Sequence, residues 1–440
     1  MVLVSLLNFY FRSGSKKAIN EQIKDLTNTG IFSLTRYVNF SHLYNDWQKG
    51  MQLATEGHYF ESNEIFEHCL LKAYQSNGVD PKKHTPRFLS YGFSHAIGHR
   101  ALIGLLLSAQ EIGLIPSANR IIPTSGGQDK KQLDILFGRN KKLEIVEFAF
   151  GYRFLEPPTF WHQSERVMMI NGGHKFLPTP EFIEETYSKI NQIQDYNHVI
   201  LENEYIKVAE KELLSLGLPR EVPFVVIHVR KKSWHDDTRQ ADIFNYKLAV
   251  QHLIARGIWV IQIGTDNQNI LIDDKNFLAI QGDDSAAFFL TPYLLYKCKF
   301  FINTCSGPTY LAPLFGTPVL QTNVIAVGKN TTTLSKNSMH LPKNWVYKDR
   351  KVSFSELLKS PEGYSDSGMN YLKKKGYTLI ENSSEEILAA TLDMENLLDN
   401  NFRVLDYDSV IQEIREVNNA PAKGLICTSY IENNKNWFLN

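Results

Sequence analysis

Two groups of residues carry most of the chemistry open to this chain. The first is Asn303-Thr304-Cys305-Ser306-Gly307, a small polar turn. It lies between the apolar run Phe300-Phe301-Ile302 and a helix-like segment from Pro308 to Phe315, which Gly316-Thr317-Pro318 ends before a second apolar run. Hydroxyls and unpaired backbone N–H groups at the opening of a helix suit an anion. The second group is His228-Val229-Arg230, where the apolar run from Pro223 ends, with Arg239 one loop further on. Polar side chains at the exit of a buried strand need a reason, and a guanidinium grips a diphosphate through its planar fork. Arg230, Arg239, Thr304, Ser306 and Gly307 together fit the diphosphate of a nucleotide-sugar, and His228 reads either as part of that site or as a hydrogen-bonded core histidine. The plain alternatives are salt bridges from the arginines to Asp236, Asp237 or Asp242, and a turn that closes an α/β unit with no ligand. Gly264-Thr265-Asp266 ends another apolar run, which places Gly264 and Asp266 to touch ribose or phosphate, or simply to be solvated.

A proton acceptor for an attacking hydroxyl has three candidates. His95 and His99 flank Gly98 after the first strand-like segment, and imidazole titrates near neutrality. Asp237, beside Asp236, competes for the role. The acidic pairs Asp236-Asp237, Asp273-Asp274 and Asp283-Asp284 are adjacent in sequence, so their side chains diverge if the backbone is extended. No Cys/His spacing suits zinc. The expectation is therefore metal-independent chemistry, with no cofactor beyond a nucleotide-sugar acting as substrate. No strand-like run is followed by Gly-x-Gly-x-x-Gly, which argues against a nicotinamide-linked oxidoreductase.

The elements that must position these groups alternate between strand and helix. Phe88–Phe93, Asn119–Pro123 and Leu143–Phe150 read as strands, with an apolar helix over Ala101–Ile112 between the first two and a periodic helix over Glu202–Leu216 after them. From Pro223 the pattern repeats: strand, helix Tyr246–Arg256, strand Ile258–Ile263, short strand Phe277–Ile280, helix Phe288–Cys298, then the opening motif, with Val319–Thr322 as the last strand. Ser383-Ser384-Glu385-Glu386 opens a further helix with a capping pattern. Two consecutive parallel-sheet units would hold a ligand between their carboxyl strand ends. Trp47, Gly50, Leu53, Gly57, Tyr59, Phe66 and Leu70 are spaced like one tetratricopeptide helix pair, which serves as a partner-docking unit or as a helical cap on the next domain.

The bulk numbers are compatible with such a molecule. A chain of 440 residues implies roughly two to three domains. Lys plus Arg and Asp plus Glu balance at 47 each, which speaks against nucleic-acid binding. Cys69, Cys298, Cys305 and Cys427 form no disulfide framework, so a reducing, cytoplasmic compartment is expected. Met1–Phe11 is apolar but shorter than the roughly 20 residues a bilayer span takes. It suits a buried or oligomer-contact helix, or weak docking at the cytoplasmic face of the inner membrane.

His228-x-Arg230 ahead of Arg239-x-Ala241-Asp242-Ile243-x-x-Tyr246 resembles a family of bacterial glycosyltransferases tied to surface-polysaccharide synthesis. Ile261-Gln262-Ile263-Gly264, Ser306-Gly307, Phe315-Gly316-Thr317-Pro318 and Asn382-Ser383-Ser384-Glu385-Glu386-Ile387 continue the likeness in order, over roughly residues 88–400. Gln262 departs from it, standing where the family pattern has arginine. The His-x-Arg element is also similar to that of α-1,6- and O-fucosyltransferases, which implies Arg230 as a contact to the β-phosphate. The resemblance implies an α/β fold of GT-B type, with two Rossmann-like domains facing across a cleft; the small helical, tetratricopeptide-like region before them, read from its own spacing, lies outside the matched residues. The corresponding boundaries are 1–82 for the helical region, 83–220 for the acceptor domain, 221–400 for the nucleotide-sugar domain and 401–440 for a helical tail. The activity implied is sugar transfer to the hydroxyl of a glycan, lipid-linked glycan or protein. A nucleotide-sugar 2-epimerase of the same fold and a non-enzymatic docking scaffold are the alternatives.

Overall fold

The computed structural model describes residues 87–88, 97–114, 120–124, 127–147, 167–170, 175–178, 199–230, 238–264, 272–281, 285–325, 337–353, 356–357, 369–400 and 425–434, with isolated residues at 45–72 and 186–193. Most of the tetratricopeptide-like positions, among them Trp47, Tyr59 and Phe66, lie outside this set.

The first unit holds β1 (Arg87–Phe88), β2 (Arg120–Thr124) and β3 (Leu143–Glu147) in a parallel sheet of order β1-β2-β3. Helices α1 (Ile97–Glu111) and α2 (Gly127–Phe137) connect its strands. α1 is apolar nearly all round and buried accordingly, with Ile103, Leu105, Leu106 and Ala109 inside. A short antiparallel hairpin, β4 (Val167–Ile170) with β5 (Lys175–Pro178), was not anticipated.

The second unit is a seven-stranded, all-parallel sheet. Its strands are β6 (Phe224–His228), β7 (Trp259–Gly264), β8 (Phe277–Gln281), β9 (Phe301–Asn303), β10 (Val319–Val324), β11 (Met339–Pro342) and β15 (Leu425–Ile426). The spatial order is β15-β11-β10-β9-β6-β7-β8. The sheet therefore grows outward from β6 through β7 and β8, then returns to β6 and grows the other way from β9. That is the doubly wound order, with its reversal between β6 and β9. Val225, Val226 and Ile227 are fully buried, as strands covered on both faces require.

Helices α3 (Asn203–Ser215) and α5 (Ser285–Lys297), together with α6 (Gly307–Leu311), belong to one face of this sheet. Helix α4 (Lys247–Ala255) and helix α8 (Ser384–Leu398), with α9 (Thr428–Asn433), cover the other. The capping pattern at Ser383 forms as expected: Glu386 N donates to Ser383 Oγ at 3.2 Å, and Ser383 N to Glu386 Oε2 at 2.9 Å. Two features of this unit differ from the sequence reading. Val319–Thr322 is not the last strand, because β11 and β15 extend the sheet beyond it. The tail expected to be helical carries α9 and, in addition, that edge strand, two residues long and too short for any periodic signal. A small antiparallel sheet, β12 (Asn344–Tyr347) between β13 (Arg350–Lys351) and β14 (Tyr377–Ile380), is appended with helix α7 (Met369–Lys374) around the buried Trp345.

The two units share one apolar core. Ile103, Leu106 and Leu136 of the first lie in the same buried cluster as Val226, Phe301 and Val319 of the second. α1 packs on α6, and a Cβ added at Gly104 would come within 2.5 Å of Leu314 Cδ1. Buried Arg100 of α1 pairs with Asp129 of α2, and its guanidinium lies 5.4 Å from the centroid of the Phe288 ring of α5. α3, assigned by sequence to the first unit, packs on α5 of the second: Tyr205 OH donates to Phe289 O at 2.5 Å, and Tyr293 OH to Glu210 Oε1 at 3.1 Å.

Candidate functional site at the sheet reversal

A doubly wound sheet opens a crevice at the carboxyl ends of the strands where its order reverses. Here those strands are β6 and β9, and both sequence clusters lie at their ends. The register Val226↔Phe301, Ile227↔Ile302, His228↔Asn303 sets the two exits side by side. Beyond the strands, side chains continue the stitching. Thr304 N donates to His228 O at 3.2 Å, and Arg230 N donates to Thr304 Oγ1 at 2.9 Å. Ser306 Oγ lies 3.0 Å from His228 Nδ1. Ser306 N donates to Thr309 Oγ1 at 3.0 Å, and Thr309 Oγ1 in turn donates to Asn303 Oδ1 at 2.7 Å.

This division of labour separates side chains that shape the turn from groups that face outward. Thr304 is 0% exposed and Ser306 4%, and both hydroxyls are bonded to the end of β6. Cys305, Gly307 and Tyr310 are the half-exposed positions of the turn and of α6. α6 is short and passes into a tight 3-10 turn, Ala312–Phe315, which Gly316 ends at φ 72°, a left-handed conformation that glycine adopts without a Cβ penalty.

Arg230 and Arg239 are half-exposed. Ala241 N donates to Arg230 O at 3.1 Å, which ties the Arg239 turn back to the end of β6. Asp242, one of the carboxylates weighed as a salt-bridge partner, caps the turn Ile243–Tyr246: its Oδ1 accepts from Phe244 N at 3.0 Å. Gly264 ends β7, the strand next to β6, at φ 148°. His95, Asp237 and Asp266 lie outside the described residues, as does Asp236. His99 falls within α1, where only its backbone is described.

The structure adds residues that the sequence reading did not place in the site. At the end of β10, Asn323 sits in the left-handed region at φ 54°, tolerable for asparagine. A buried network holds it there. Asn323 N donates to Asn382 Oδ1 at 2.7 Å, Asn382 N to Asn323 Oδ1 at 2.9 Å, and Asn323 Nδ2 to Tyr246 OH at 3.0 Å. Thr322 Oγ1 donates to Asn303 O at 3.2 Å, which ties the network to β9. Burial raises the Tyr246 phenol well above its ordinary range, so it stays protonated. Lys343 is buried beside the Arg239 turn. Tyr246 and Asn382 stand in the motifs that carried the family resemblance. A lone lysine after an apolar strand has no such signal, because lysine is rarely buried.

Among the described residues, no group of three or more His, Cys, Asp and Glu could hold a metal ion. A separate cavity of about 270 Å³ lies between α2, α3 and α5, lined in part by Gln132, Glu212 and Phe288. It falls below the 300–1,000 Å³ or so typical of ligand pockets, and none of its lining residues belongs to the turns after β6 and β9.

No protein-family model matches the chain, and no curated protein matches it. Several solved structures are similar in part. A bacterial iron-containing dodecameric glycosyltransferase, TibC from enterotoxigenic E. coli H10407, is 14% identical over 72% of this chain and 75% of that chain, with a TM-score of 0.37. The E. coli ADP-heptose lipopolysaccharide heptosyltransferase II is 12% identical over 69% and 96%, with a TM-score of 0.42. The wall teichoic acid polymerase TagF is 10% identical over 90% and 97%, with a TM-score of 0.30.

Proposed function

We propose that this protein is a glycosyltransferase that moves a sugar from a nucleotide-diphosphate sugar to an acceptor hydroxyl in bacterial surface glycan or glycoprotein synthesis. One observation carries the reading: Arg230 and the Arg239 turn meet at the carboxyl ends of β6 and β9, where the order of a doubly wound sheet reverses. A crevice in that position takes a nucleotide by the geometry of the fold, and the guanidiniums of Arg230 and Arg239 would select for the diphosphate.

In the reaction, the bond between the anomeric carbon and the phosphate oxygen breaks and a bond to the acceptor oxygen forms. The acceptor's proton passes to a base, for which His99, His95 and Asp237 are the candidates. Negative charge grows on the departing nucleoside diphosphate, and Arg230 and Arg239 stabilise it where a metal-dependent enzyme would use a cation. Thr304 and Ser306 act by shaping the exit of β6. Gly264 and Asp266 would border the nucleotide. The acceptor is a glycan, lipid-linked glycan or protein, met in the cytoplasm or at the inner face of the membrane. Among the described residues no helix is long and apolar enough to cross a membrane.

Arg230→Ala is expected to lower turnover with nucleotide-sugar and acceptor by about 10²–10³-fold, the usual cost of removing one charge-stabilising group. Unchanged turnover would remove Arg230 from this role. Incubation with nucleotide-sugar alone separates the reaction classes, because an epimerase converts the sugar without an acceptor and a transferase does not.

A further inference from the structure

Lys343 is 2% exposed, an unusual place for an ammonium group. It follows β11, and its backbone N–H donates to Val324 O at 2.8 Å, tying it to the end of β10. Its side chain reaches back to the loop after β6. There Nζ donates to Thr238 O at 3.1 Å and to Gln240 O at 2.6 Å. These two carbonyls bracket Arg239. Thr238 is itself buried, so the lysine grips the inner side of the turn while Arg239 remains half-exposed.

Withdrawing an ammonium from water is costly unless its donors are met. A methionine of similar length would fill the same space without that cost, but it would take the donor from the carbonyls of buried Thr238 and half-exposed Gln240. What the ammonium provides is a fixed point for a turn whose other end is held at Arg230 O by Ala241 N. We infer that Lys343 is a positioning residue of the nucleotide-sugar site, one that sets the Arg239 turn so that both guanidiniums meet the same diphosphate. The inference rests on the donor-site reading above. Lys343 contributes preorganisation: a turn already ordered loses less freedom when the anion binds.

Calorimetric titration of the full-length protein with inorganic pyrophosphate tests this. Lys343→Met and Arg239→Ala are each expected to weaken binding on the order of tenfold, and the double variant no further, because both changes disable one contact. Lys343→Arg, which keeps donors and charge, recovers part of the loss. Wild-type affinity in Lys343→Met, or losses that add in the double variant, would overturn the positioning role. Should the methionine variant fail to fold, Lys343→Gln retains a donor for one carbonyl. Weakened binding in it supports the role, and wild-type binding refutes it. If Arg230→Ala and Arg239→Ala both bind pyrophosphate as the wild type does, the donor-site reading itself fails. If Arg239→Ala weakens binding while Lys343→Met does not, only the positioning role is lost.

Discussion

At Thr304 and Ser306 a hydroxyl can face an incoming anion or secure the backbone that does, and in the structure both hydroxyls are bonded to the end of β6. Each is buried against the end of β6, and the pair holds Arg230 N and the His228 ring in place. A row of polar side chains continues across the sheet from there, since Asn303, Gln321 and His340 are register partners on β9, β10 and β11. His340 lies within the core, and burial lowers its pKa from 6.5 to about 3. Between those values the unfolded chain holds a proton that the folded chain refuses. Unfolding then takes up a proton, so stability is complete above about pH 6.5 and declines as the pH falls towards 3. The slope from this one group approaches about 1.4 kcal/mol per pH unit. His340→Asn should flatten that part of the curve, measured by urea unfolding on either side of pH 6 or so. Equal pH dependence in the two proteins would show that His340 is not responsible.

Between elements, α1 packs closely on the helical segment after β9. Gly104 leaves room for Leu314, and any side chain there must displace it. Gly104→Val is therefore expected to destabilise the fold by about 1–3 kcal/mol through overpacking. Urea midpoints report the change, and an unshifted midpoint would mean that Leu314 finds another rotamer without cost. The same contact has a functional side. α1 carries His99, and α6 begins at the turn that follows Ser306, so their packing couples an element of the first unit to the proposed donor site of the second.

For the molecule as a whole, the continuous cluster joining Leu106 and Leu136 to Phe301 and Val319 implies joint rather than separate stability. Domains that fold as units give separable transitions, whereas a shared core couples them. Calorimetric unfolding should thus show one main transition for the two sheets, raised in temperature by pyrophosphate as mass action requires. Two well-resolved transitions, of which pyrophosphate moves only one, would show that the shared core does not couple the units.

Local patterns were enough to reveal the alternation of strand and helix, the runs that became β6 to β10, the cap at Ser383 and the arginine that follows β6. Such features depend on periodicity and on turn chemistry within a few residues, which the chain carries openly. What the tertiary structure decided is adjacency. Arg230 N and Thr304 Oγ1 are 74 positions apart, and only the crossover that returns the chain to β6 after β8 brings them together. The edge strand β15 and the burial of Lys343 have the same origin. Two residues at Leu425–Ile426 show no period, and a lysine's place inside is set by carbonyls from a loop more than a hundred residues earlier.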